Sequence, residues 1–106
     1  MTRLPAPATI EAITPVEARK AHPMPIRGYI LVETEVGRTQ AVGHAVRGLT
    51  STNARVLAVD TVTGPFDVIV QLEADDLDLL GKCITDEIQK LDGIQRTTTC
   101  LSVNLG

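Results

Sequence analysis

Four short runs of β-branched and aliphatic residues are separated by two stretches of helical period, and that order leaves few folds open to the chain. Tyr29-Ile30-Leu31-Val32 predicts a strand buried on both faces. Glu35-Val36-Gly37 turns the chain. Val42, Ala45, Val46 and Leu49 then recur at helical spacing, Arg38, His44 and Arg47 fall on other faces, and Gly48 to Asn53 supplies breakers. Arg55 to Val62 predicts a second strand and Asp67 to Glu73 a third, and the short Gly64-Pro65 connection makes them an antiparallel pair. Asp75 and Asp76 offer N-caps to a second helix, in which Leu77, Leu80, Ile84, Ile88 and Leu91 face the core. Lys90 sits in its last turn, Gly93 is its C-cap, and Ile94 to Val103 forms the fourth strand.

The resulting βαββαβ order is an α+β, ferredoxin-like arrangement, a four-stranded antiparallel sheet with two helices on one face. An internal echo supports it: Val42-Gly43-His44-Ala45-Val46 aligns with Leu80-Gly81-Lys82-Cys83-Ile84 at an offset of 38 residues, which also lays Leu31-Val32 over Ile69-Val70. A glycine in each helix lets that helix lie close to the sheet. Helices on one side leave the other bare, and Tyr29, Leu31, Leu57, Val59, Ile69 and Leu101 must divide between the two faces by strand alternation. An apolar sheet face left open predicts a homodimer packed face to face, a dimeric α+β barrel.

Composition narrows the function. Aromatic residues are 2% of the chain, only Tyr29 and Phe66, so the core is aliphatic and stacking on single-stranded nucleic acid is excluded. A net charge of -3 is the wrong sign for gripping phosphate backbones. Two cysteines, Cys83 and Cys100, make no disulfide framework and read as small buried hydrophobes in a reducing compartment. With no apolar run of membrane-spanning length and no signal-like h-region, the expectation is a cytoplasmic protein. Five of the six prolines lie in the first 25 residues, which divides the chain into a proline-rich tail, residues 1–26, and a domain, residues 27–106. Thr14-Pro15-Val16-Glu17 starts a short helix in the tail, which is either mobile or docked on a partner subunit.

No catalytic constellation stands out. His22 and His44 have no near partner in sequence and read as surface residues, while the acidic run from Glu73 to Asp78 lacks calcium-loop spacing and suits a helix start. No metal or cofactor is expected. The stretch Val62-Thr63-Gly64-Pro65-Phe66-Asp67 sets one of two aromatics beside an acid at a turn. Either Gly64 and Pro65 set the turn and Asp67 caps it, or bare backbone at Gly64 and the Asp67 carboxylate receive a small polar ligand. Thr97-Thr98-Thr99 is good strand material whose hydroxyls can also donate to a carboxylate.

From about Arg27 to Val103 the chain resembles the effector-binding domain of the Lrp/AsnC (feast/famine) transcription regulators. The resemblance is carried by Gly28-Tyr29-Ile30-Leu31-Val32, by Val62-Thr63-Gly64-Pro65-Phe66-Asp67 and by Gly93-Ile94-Gln95-Arg96-Thr97-Thr98-Thr99. It implies dimers made through the sheets and assembling into rings, with amino acids or related metabolites held in clefts between dimers near the hairpin. Gly64, Phe66 and Asp67 then correspond to the effector loop, with Thr97, Thr98 and Thr99 as contributors. Full regulators carry an N-terminal helix-turn-helix, for which 26 proline-rich residues leave no room. The resemblance therefore implies a stand-alone module that modulates transcription through full-length regulator partners, without binding DNA or membranes. Two alternatives remain open: a small dimeric α+β barrel enzyme of the cofactor-independent monooxygenase kind, which needs a roomy polar or aromatic cavity, and a purely structural assembly domain.

Overall fold

Strict alternation along two central strands decides which way the sheet faces. In the computed structural model of the protein, residues 25–103 are described. Residues 1–24 of the proline-rich tail, with His22 and the helix expected from Thr14, lie outside them, whereas Ile26, assigned to the tail from the sequence, opens the first strand. The elements are β1 (Ile26–Thr34), α1 (Thr39–Arg47), β2 (Arg55–Thr61), β3 (Val68–Ala74), α2 (Leu77–Lys82), which runs on as a π-helical stretch (Cys83–Ile88), and β4 (Ile94–Leu101). The strands form one antiparallel sheet in the order β2-β3-β1-β4. The ferredoxin-like order expected from the sequence is the order found.

Ile30 and Val32 on β1, and Val68, Val70, Leu72 and Ala74 on β3, are fully buried beneath the helices. Their neighbours in the chain, Tyr29, Leu31, Ile69 and Gln71, point to the opposite face. The expectation that β1 is buried on both faces is thereby corrected: Tyr29 is 40% exposed, because among the described residues no element packs on that side. The registers place Val59 and Leu101 on the helix side, opposite Val70 and Gly28. Leu57 occupies the β2 irregularity between Val56 and Ala58 and remains exposed.

The helices meet this aliphatic face with small side chains. On α1, Val42 and Val46 are buried, whereas Ala45, assigned to the core from its spacing, is exposed. On the second helix Leu80, Ile84 and Ile88 are buried at every fourth residue, with Cys83 beside them. A row with that spacing drifts by about 40° per step around an α-helix. The wider winding after Lys82 counters the drift, with the Gln89 N–H donating to the Ile84 carbonyl five residues back at 2.8 Å. Leu77, expected on the same face, is 56% exposed. The Asp76 carboxylate accepts from the Leu79 N–H at 2.8 Å and caps α2, as its position predicts.

The inference that helix glycines permit close packing fits Gly43, which is buried with Thr61 Oγ1 3.4 Å from where a Cβ would stand, and fails at Gly81, where a Cβ would meet nothing. Gly93 is the tightest glycine of the domain. It has φ +96°, and a Cβ would come within 3.0 Å of both Arg38 Cβ and Val42 Cγ2. We therefore expect Gly93→Ala to lower the unfolding free energy by about 1–3 kcal/mol. Gly81→Ala should raise it by up to about 1 kcal/mol through helix propensity. Urea denaturation monitored by far-UV circular dichroism measures both.

Candidate functional site

The hairpin between β2 and β3 is built around Asp67, which makes hydrogen bonds through its backbone and its side chain. The Val62 N–H donates to the Asp67 carbonyl at 2.9 Å and closes the loop, and the Asp67 N–H donates to the Val32 carbonyl at 2.8 Å. The β1–β3 ladder ends at Val32–Val68, so the Thr34 N–H has no strand partner on that side. The Asp67 carboxylate replaces it: Oδ2 accepts from the Thr34 N–H at 2.8 Å and from Thr34 Oγ1 at 3.2 Å. Thr34 Oγ1 also lies 2.7 Å from Thr39 Oγ1, at the first turn of α1. Asp67 thus caps the end of β1 rather than its own turn, and through Thr34 it is linked by side-chain hydrogen bonds to Thr39 in the first turn of α1. Both bonds of the Asp67 side chain use Oδ2, and among the described residues Oδ1 takes no hydrogen bond.

Above this anchor, Gly64 adopts φ +137° in an exposed position with nothing within 4 Å of a notional Cβ, and Phe66 is half-buried. The Glu35–Arg38 turn and the loop ending at Gly93 share this end of the sheet. They are joined by the Glu35 N–H donating to the Gly93 carbonyl at 2.8 Å and by Arg38 Nη2 donating to Asp92 Oδ2 at 2.7 Å. The Asp92 carboxylate raises the Arg38 guanidinium pKa further still. The three threonines of β4 do not converge on the hairpin. Thr97 lies opposite Val32 on the helix side, where its Oγ1 accepts from Gln89 Nε2 at 2.8 Å. Thr98 faces the open side opposite Leu31, and Thr99 returns to the helix side, farther from the hairpin. Thr34, Thr39 and Gln89 escaped the sequence reading. The signal for Thr34 was its place at the end of a β1 alternation whose other helix-side residues, Ile26, Gly28, Ile30 and Val32, carry no polar side chain.

His44 is exposed on α1. Burial pushes the Cys83 thiol up, against a lowering hydrogen bond with Ser51, which suits an inert packing group. Cys100, expected to be buried, is exposed on the open face opposite Tyr29, because an edge strand has a neighbour on one side only. The acidic run is divided among structural tasks. Glu73 pairs with Arg27 and Arg55 at 3.0 and 3.1 Å, Asp76 caps α2, and among the described residues no group of three or more His, Cys, Asp or Glu is placed to hold a metal ion. The space between the helices and the central strands is filled by Ile30, Val32, Val70, Leu80 and Ile88, all at most 1% exposed. No helix among the described residues is long and apolar enough to cross a membrane.

The open face combines a centre of Tyr29, Leu31 and Ile69 with a charged rim. Gln71 Nε2 donates to Tyr29 Oη at 3.2 Å, and the Arg27–Glu73–Arg55 cluster lies beyond it. Hydrogen bonds from Arg27 and then Arg55 hold the Glu73 carboxyl below the usual carboxylate range.

A family model described as the Lrp/AsnC ligand binding domain matches residues 27–104. Among curated proteins, none matches the chain. The crystal structure of TTHA0845 from Thermus thermophilus is 31% identical, covers 76% of this chain and 96% of its own, and superposes with a TM-score of 0.68. AsnC of E. coli is 18% identical with a TM-score of 0.66, the match covering 74% of this chain and 51% of AsnC. The transcriptional regulator NMB0573 of Neisseria meningitidis, solved as its L-Met complex, is 15% identical with a TM-score of 0.65, the match covering 96% of this chain and 61% of the regulator. The last two are likenesses of fold.

Removing the Asp67 side chain orphans the Thr34 N–H, in a residue only 8% exposed. Asp67→Ala should therefore cost about 1–3 kcal/mol of stability in urea titrations, with Asp67→Asn costing less because an amide oxygen still accepts. The pairing at Glu73 has a defined pH signature. A carboxyl lowered in the folded state stabilises fully above its unfolded pKa, and that contribution is lost as pH falls through the folded one. The gap in melting temperature between wild type and Glu73→Gln should narrow as the buffer goes from pH 7 to pH 3 in calorimetric scans.

Proposed function

Because the chain belongs to the Lrp/AsnC ligand-binding domain family, we propose that it is an amino-acid-sensing and assembly module, acting on transcription through regulator partners rather than by reading DNA itself. Its part is to bind an effector and to couple that binding to assembly. The family match over residues 27–104 is the observation that carries this reading. The hairpin geometry supports it. Asp67 is held rigidly through Oδ2, which leaves Oδ1 to meet a ligand ammonium group in a charge-assisted hydrogen bond. The exposed backbone at Gly64 and the flank of Phe66 stand beside it, and hairpin N–H groups are the donors for the ligand carboxylate. Thr97 is the nearest of the three β4 threonines to that end, with Thr98 and Thr99 as more distant contributors. The L-Met complex of the Neisseria regulator, alike in fold, favours an amino acid as the ligand class.

Assembly follows from the open face. Tyr29, Leu31 and Ile69 present apolar area that a second copy covers, giving a dimer through the sheets, with the hairpin ends left to meet between dimers. The net charge of -3 disfavours direct phosphate contacts.

The test is calorimetry of the twenty amino acids against wild type and Asp67→Asn, with light scattering alongside. At least one member should bind with millimolar affinity or better, and Asp67→Asn should weaken it roughly 10- to 100-fold. The protein should scatter as a dimer or larger at micromolar concentration. A panel without binders removes the sensing role, equal binding to Asp67→Asn reduces Asp67 to a strand cap, and a monomeric mass removes the assembly role.

A further inference from the structure

The open face is apolar at Leu31 and Ile69 but carries one polar pair between its two central strands. Tyr29 and Gln71 stand directly opposite each other on β1 and β3, and Gln71 Nε2 donates to Tyr29 Oη at 3.2 Å. Each has a small residue on its outer side, Cys100 opposite Tyr29 on β4 and Ala58 opposite Gln71 on β2. The pair therefore stands proud of its row.

The bond between them leaves both groups half used. The Tyr29 hydroxyl proton has no acceptor, and Gln71 Oε1 has no donor, among the described residues. The cations of the neighbouring row, Arg27 and Arg55, are turned to Glu73 at 3.0 and 3.1 Å. Turning the Gln71 amide over exchanges the roles and still leaves one donor and one acceptor. Water satisfies them in a monomer. Beneath a second protein surface water is excluded, and a hydroxyl or amide buried without a partner is costly.

A donor beside an acceptor is the pattern that a two-fold axis satisfies. An isologous interface sets the same patch against itself, so each patch must offer what it asks for. β1 and β3 are the middle strands of the sheet, and an axis running between them lays Tyr29 of one copy over Gln71 of the other. Facing sheets stand about 10 Å apart, a gap that a tyrosine and a glutamine reaching from opposite sides close. Given the dimer through the sheets that the proposed function includes, we propose that Tyr29 and Gln71 form its polar centre. The Tyr29 hydroxyl of each copy donates to Gln71 Oε1 of the other, which closes a ring of four hydrogen bonds with the two bonds inside the protomers. The pair fixes the register of the dimer and reserves this face for a second copy of the same chain, because a surface without the reciprocal pair strands both groups. Regulator partners are left the hairpin ends.

Native mass spectrometry of mixed full-length variants tests it. Both side chains point away from the helix-side core, so the variants keep the fold. Tyr29→Phe and Gln71→Met each strand the opposite group twice per homodimer, and each homodimer should dissociate about tenfold more readily than wild type. In a heterodimer of the two variants, one Tyr29 still meets one Gln71 and the two replaced side chains meet each other, so no group is stranded. Heterodimers should therefore make up about four fifths of the dimers instead of the statistical half. A bond confined to the protomer is broken in both variants and gives no such excess, so a statistical mixture overturns the proposal. The double variant mixed with wild type should do the reverse and give fewer heterodimers than the statistical half, and free mixing there overturns the reservation of the face. Statistical mixing among intact dimers removes this polar centre and leaves the sheet-to-sheet dimer standing, whereas a monomeric wild type removes both.

Discussion

The two-residue alternation of β1 and β3 is the constraint on which the rest of the domain depends. These are the central strands, and their helix-side residues are small aliphatics without exception from Val68 to Ala74. Each fully buried valine, leucine or isoleucine contributes roughly 1.5–3 kcal/mol. With one phenylalanine and one tyrosine in the whole chain, many such contributions must be gathered through close approach instead of large side chains. Close approach explains the buried Gly43, the small Val42 and Val46 on α1, and the widened winding that aligns Leu80, Ile84 and Ile88 over the sheet.

The same alternation creates the exposed surfaces to which the proposed function is assigned. Every residue buried beneath the helices leaves a neighbour on the other side, so Tyr29, Leu31 and Ile69 face away from both helices. At one end of the sheet the ladder runs out, and polar side chains take over from backbone pairing. There Asp67, Thr34 and Thr39 form a chain of hydrogen bonds joining a hairpin, a strand and a helix. A carboxylate held in that way has little conformational freedom left to lose in the ligand contact proposed for it. At the loops below, Glu87 Oε2 accepts from Ser51 Oγ at 2.6 Å and Asn53 Nδ2 at 2.8 Å, fastening the segment that enters β2 to the π-helical stretch.

Where the sequence reading erred, it erred for local reasons. Tyr29-Ile30-Leu31-Val32 is apolar throughout, and a continuous apolar run cannot say whether its second face is covered by the same chain or left bare. Ala45 and Leu77 follow helical spacing, yet spacing does not place the edge of the contact, and both lie just beyond it. Cys100 shares the composition of a buried strand but belongs to an edge. The hairpin motif was legible as a turn with an unusual acid, while the partner of that acid, Thr34, is 33 residues away and carries no signal that links the two.

Element order, helix capping at Asp76, the aliphatic core and the resemblance carried by the hairpin and the last strand follow from the amino-acid sequence, because periodicity, capping and turn chemistry act between residues a few positions apart. Which sheet face is bare, where the helix layer stops short of β4, and what the Asp67 carboxylate holds were decided only by the tertiary structure. Those outcomes depend on strand register and on the offset between layers, and both are set by packing among residues distant in the chain.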